Sequence, residues 1–131
     1  MAKGLKKHTE RLKALNLLGK DLTRRSRSTC ELCEVSGVSL NILEIAPVPE
    51  EPDRDSCLMA CDTCKTFLEN PKHEKPEYWR CLTKTLWSPL PVAQVVAVRQ
   101  LRRLSAQHPW AAELLEHAYL SEDVEQWVEK N

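Results

Sequence analysis

The chain has 131 residues, 42% apolar and 29% charged, enough for one compact domain spanning 1–131, or two very small ones sharing a core. No window approaches the roughly 18 consecutive apolar residues that span a bilayer, and the start MAKGLKKHTERLK lacks the apolar core of a secretory signal. A cytoplasmic, non-membrane protein is expected, and its six cysteines then read as thiols free for metal, not as a disulfide framework.

The formal net charge of zero conceals an asymmetry. Residues 1–28 carry nine Lys or Arg against two acids, and the rest of the chain carries ten against seventeen. The basic end suits a nucleic acid or an acidic protein, or equally the acidic C-terminal helices of the chain itself. Within 1–25, Leu5, Leu12, Leu15, Leu18 and Leu22 recur at helical spacing, with Lys6, Lys13, Lys20 and Arg24 largely on other faces. This predicts a basic amphipathic helix interrupted at Gly19.

Residues 26–70 read as a metal module. Val38, Leu40 and Ile42 alternate as in a half-buried strand, and the shift of the apolar face to Leu43 and Ile45 suggests a bulge. Pro47, Pro49 and Pro52 then impose an exposed loop, Cys57 to Ala60 a short returning strand, and Asp62 to Leu68 a helix ended by Asn70 and Pro71. After a charged connector, residues 78–130 predict a helical bundle. Tyr78, Trp79, Leu82, Leu86 and Trp87 have helical spacing, Ser88 is placed to cap a helix from Pro91 to about Ala106, and Arg99, Arg102 and Arg103 lie opposite its Val95, Val98, Leu101, Leu104 stripe. Trp110, Leu114, Leu115, Ala118 and Tyr119 suggest another helix, and Ser121 caps a last one.

The chemistry concentrates in two Cys-x-x-Cys pairs, Cys30 with Cys33 and Cys61 with Cys64. Each pair offers two thiolates from one tight turn, and four thiolates complete a tetrahedral site for one structural Zn2+, with an iron–sulfur cluster as the chemical competitor. The 27 residues between the pairs exceed the roughly 15–20 of a simple ribbon. They leave room for a full hairpin, as in a treble-clef or zinc-ribbon-like module whose second pair opens a helix. Cys57 and Cys81 read as small buried residues. The predicted class is therefore α+β, mostly α: a hairpin-plus-helix zinc module followed by a bundle.

The ordered run Ser28-Thr29-Cys30-Glu31-Leu32-Cys33, Cys61-x-x-Cys64, Trp79-Arg80-Cys81-Leu82, Trp87-Ser88, Val92 to Arg99 and Trp110-Ala111-x-x-Leu114-Leu115 resembles the bacterial PhnA-like family. The likeness covers most of residues 26–128 and implies that family's N-terminal zinc-binding domain. Longer members carry a second, β-rich domain, which is not expected in a chain ending at Asn131; the family's glycine after the first pair is Glu34 here. The family name implies an association with phosphonate use but no reaction. The segment also looks like an HNH-type treble clef in which Leu43, Glu44 and Lys65 stand where that family has histidines. Without an imidazole to hold a catalytic metal or activate water, that mechanism lacks its base.

These readings favour a non-enzymatic, zinc-stabilised binding or scaffold protein. Lys6, Lys13, Lys20, Arg24, Arg99, Arg102 and Arg103 are its candidate contacts to nucleic acid or a partner, and a solvated helix face is the plainer account of the arginines. The alternative is a metal-dependent hydrolase or accessory protein of phosphonate metabolism, opposed by a coordination sphere that four thiolates would close. The four tryptophans suit a core, although one or two could line a homodimer surface.

Overall fold

A computed structural model describes residues 2–130. Among these residues the fold is mostly helical, with six α-helices and one two-stranded antiparallel sheet, an α+β arrangement. Among the described residues no helix is long and apolar enough to cross a membrane.

Helix α1 (Ala2–Ser26) is a single unbroken helix. Gly19 does not interrupt it as expected, because one glycine costs only about 1 kcal/mol, which a helix of this length absorbs. Its predicted apolar stripe is used only at the C-terminal half. Leu22 is fully buried and Leu15 and Leu18 pack beside it, whereas Leu5 and Leu12 are exposed. After a turn holding Cys30 and Cys33 come strands β1 (Leu40–Glu44) and β2 (Cys57–Cys61), paired Leu40↔Cys61 through Glu44↔Cys57.

The register is continuous, so the expected bulge is absent. The shift in the apolar pattern of β1 has another cause: both faces of the sheet are covered. Leu40, Ile42, Cys57 and Met59 meet Leu22 of α1, while Leu43, Leu58 and Ala60 join the main core.

Helix α2 (Asp62–Glu69) begins directly at the second cysteine pair. The helical spacing of Tyr78 to Trp87 resolves into a 3-10 turn, Pro76–Cys81, and the short α3 (Leu82–Thr85). Trp79, Leu82 and Leu86 are buried there and Trp87 is exposed. Helix α4 (Pro91–Ser105) is the central element. Val92, Ala93, Val95, Val96, Ala97, Val98, Leu101 and Leu104 are all buried, so apolar contact surrounds it on more sides than the single predicted stripe. Leu90, not Ser88, is its N-cap; the Ser88 hydroxyl accepts from the Leu90 N–H one step earlier (3.1 Å), and Pro91 opens the helix at a position that needs no donor.

Helix α5 (Pro109–His117) stops before Ala118 and Tyr119, which the sequence pattern had joined to it. Helix α6 (Glu122–Glu129) starts as expected, with the Ser121 side chain accepting from the Val124 N–H. One buried cluster runs from Cys30, Leu32, Cys61 and Cys64 through Trp79 and Leu82 to α4, Ala111, Val124 and Val128. The Thr85 hydroxyl fastens the two halves by donating to the Leu32 carbonyl (2.6 Å).

Candidate metal centre

The Cys30–Cys33 turn and the start of α2 are built alike. In each, the second cysteine's N–H donates to the first cysteine's sulfur at 3.5 Å. At the second pair this contact is also the helix cap, since Cys61 is the N-cap of α2 and its Sγ takes the place of a serine or aspartate oxygen. The macrodipole of α2 then favours negative charge on these sulfurs. The hairpin brings the two turns together, because Cys61 ends β2 opposite Leu40.

All four Sγ atoms lie within 4.8 Å of one another, close enough to hold one metal ion. Cys30 Sγ lies 3.7 Å from Cys64 Sγ, and Cys33 Sγ the same distance from Cys61 Sγ. Cys30, Cys61 and Cys64 are buried and Cys33 is half-buried. The Tyr78 hydroxyl sits 3.0 Å from Cys64 Sγ and 3.7 Å from Cys61 Sγ. Its ring is fixed edge-on against Phe67 and Trp79, with centroids 5.0 and 5.2 Å away. Sequence spacing gave no warning of this tyrosine, which stands 14 residues after the last ligand candidate.

Protonation across the four thiols is uneven. Cys30 is drawn down to about 4, first because the Cys64 thiol donates to it and then because backbone N–H groups point at it, against the cost of burial. Cys64 is pushed up by that same donation and by burial, and Cys33 is raised by burial. Four sulfurs this close do not all ionise unaided; a divalent cation that displaces the remaining protons resolves the conflict. Cys57 and Cys81 lie outside the group. Cys57 is buried as expected, whereas Cys81 is only half-buried; desolvation lifts them to about 11 and about 12.

The predicted basic contacts fall into two sets. Lys6, Lys13, Lys20 and Arg24 are exposed along α1, spaced so that they share one side of the helix. The three arginines of α4 are engaged within the chain. Arg99 donates to the carbonyls of Ala46 (2.8 Å), Trp127 (2.7 Å), Val128 (3.3 Å) and Lys130 (3.0 Å). Arg102 pairs with Glu129 at 2.5 Å, and Arg103 pairs with Glu74. The basic N-terminal segment does pair internally at Arg11 with Glu44 and Arg25 with Glu31, but these acids belong to the hairpin region and not to the C-terminal helices.

Leu43, Glu44 and Lys65 border one groove of about 490 Å³, together with Arg99 and Gln100, and no histidine lines it. No family model, curated protein or solved structure matches the chain.

Proposed function

We propose that this chain is a zinc-stabilised binding module: a treble-clef-like unit whose Cys30, Cys33, Cys61 and Cys64 hold one structural Zn2+, backed by a helical bundle and presenting a basic surface to an acidic partner. The carrying observation is the mutual approach of the four thiols within 4.8 Å. A tetrahedral zinc bound at about 2.3 Å from each sulfur sets its ligands about 3.8 Å apart, in keeping with the two 3.7 Å approaches. The order of turn, hairpin and helix supports the treble-clef reading, as does the sulfur cap on α2. The PhnA-like resemblance points the same way.

When bound, the ion supplies a fixed cross-link and charge balance. Cys30 and Cys33 anchor the turn, Cys61 and Cys64 anchor the first turn of α2, and Tyr78 orients the sulfurs from one side. A set of four protein ligands leaves no position for substrate, which favours a binding role over hydrolysis. The solvent-facing cations of α1 are the natural contact set, because the α4 arginines are already bonded within the chain.

Elemental analysis of the purified protein tests the site: one zinc per chain is expected, and thermal unfolding should shift sharply downward after chelation. Protein that is metal-free, yet stays fully folded after exhaustive chelation, overturns the reading.

A further inference from the structure

The fold treats the two edges of its hairpin differently. The Ile45 N–H donates to the Ser56 carbonyl at 2.9 Å. Given the pairing Ile42↔Met59 and Glu44↔Cys57, the main-chain groups of Asn41, Leu43 and Ile45 therefore face β2, while those of Ile42 and Glu44 face away. The same alternation turns Cys57 and Met59 outward on β2, and there the edge is closed. The Glu31 N–H donates to the Met59 carbonyl, the Met59 N–H donates to the Glu31 carboxylate, both at 2.8 Å, and Arg25 donates to the Cys57 carbonyl at 2.7 Å. On β1, the outward N–H and C=O of Ile42 and Glu44 have no hydrogen-bond partner among the described residues.

This open edge lies in a trough. Toward Glu44 it borders the 490 Å³ groove, which Lys65 and Gln100 also line. Toward Leu40 it continues into a second depression of about 610 Å³ beside Lys20, Thr23 and Arg24. Ile42 lines both.

The charges around the trough define what it takes, and Gln100 on its lining, 8% exposed, has a buried Nε2 without a partner. The charges are one-sided. Lys20, Arg24 and Lys65 form no ion pair among the described residues, and the Glu44 carboxylate is occupied by Arg11 at 2.8 and 2.5 Å. Glu69 is the one uncompensated acid on the lining.

We propose that the free edge of β1 receives an extended acidic segment of a partner protein, which adds as a third strand. Its main chain pairs with Ile42 and Glu44 while its carboxylates meet Lys20 and Arg24 on one face and Lys65 on the other. This deepens the binding-module reading and rests on it. A nucleic acid backbone fits less well, because phosphates accept but do not donate, leaving the outward carbonyls of Ile42 and Glu44 unmet.

The test uses the full-length, zinc-loaded protein and an acetylated, amidated heptapeptide EDVEDVE, read by fluorescence anisotropy and amide hydrogen exchange. Comparison probes are KKVKKVK, the acidic peptide N-methylated at alternate amides, and a single-stranded 12-nucleotide DNA. The acidic peptide should bind and slow exchange of the Ile42 and Glu44 amides at least tenfold, and neither altered peptide should do so. Lys20→Glu and Lys65→Glu should each weaken binding about tenfold at low salt with zinc content unchanged. Failure of the acidic peptide to bind overturns the proposal, as does binding without protection of those two amides, or protection by DNA instead. In each of those cases an intact one-zinc stoichiometry leaves the zinc-module reading standing, so the two failures are distinguishable.

Discussion

The Glu31 carboxylate accepts from the Met59 N–H at 2.8 Å while the same group holds the Arg25 guanidinium at 2.8 and 3.0 Å. One side chain thus closes the outer edge of β2 and ties the end of α1 to the turn that carries Cys30. The Glu31 side chain is only 6% exposed, and that of Arg25 19%. Replacing Glu31 with Ala strands both a buried charge and a strand N–H, for a loss of about 3 kcal/mol. Urea unfolding of the metal-loaded protein measures it; Arg25→Met, which keeps the Met59 bond but leaves the more buried Glu31 carboxylate unpaired and the Cys57 carbonyl without its donor, should destabilise by a comparable amount.

Tyr78 lies outside the ligand set but against it. Tyr78→Phe keeps the edge-on packing with Phe67 and Trp79 and removes only the hydroxyl beside Cys64 Sγ. Metal affinity should fall about tenfold, as for other groups that orient a ligand from behind, while unfolding of the saturated protein changes little. Competition with a chromophoric chelator reads the affinity directly.

Cys57 supplies a pH dependence separable from the metal. Burial raises its thiol from the ordinary 9.0 to about 11 in the folded protein, with Glu44 adding to the rise. The folded state therefore favours the neutral thiol. Its contribution is complete below pH 9 and is lost as pH climbs through 11. Cys57→Ala should flatten the decline in stability between pH 9 and 11 relative to the parent and leave the metal content unchanged. Chemical denaturation at a series of alkaline pH values gives the comparison.

Arg99 acts as a bolt between three segments. Its guanidinium takes the carbonyls of Trp127 and Val128 at the end of α6 and of Lys130 just after it, together with the Ala46 carbonyl, which the Trp127 indole N–H also contacts at 3.0 Å. Arg99→Met keeps the aliphatic stem but leaves these acceptors unmet, costing about 2–4 kcal/mol. Trp127 fluorescence should shift toward that of exposed indole. Arg102→Met, which removes only an exposed pair with Glu129, should change stability by less than about 1 kcal/mol.

Local patterns were the legible part of this fold. The two Cys-x-x-Cys turns, the helix that opens at Cys61 and the Ser121 cap each depend on residues within four positions of one another, so spacing alone exposes them. The cysteine cluster followed once a hairpin was placed between the pairs. What escaped the sequence depends on distant segments. Arg99 looks solvent-facing on a helical wheel of α4 alone, because the wheel does not contain the end of α6, about 30 residues on. The apparent bulge near Leu43 reflected apolar neighbours on both faces of the sheet, Leu22 of α1 on one and the main core on the other, an arrangement invisible to a period-two pattern. Tyr78 reaches the thiols only because Phe67 and Trp79 grip its ring. Leu5 and Leu12 show the reverse limit: the periodicity identified a helix but could not say where the supporting sheet ends beneath it.

The Thr85 hydroxyl on the Leu32 carbonyl, buried beneath α4, has a bearing on biosynthesis. A ribosome that has released the cysteine turns but not yet the residues around 85–104 exposes a half-built knuckle whose apolar underside is uncovered. The turn that carries Cys30 and Cys33 therefore gains this hydrogen bond and its apolar cover only when a segment more than fifty residues downstream has been made.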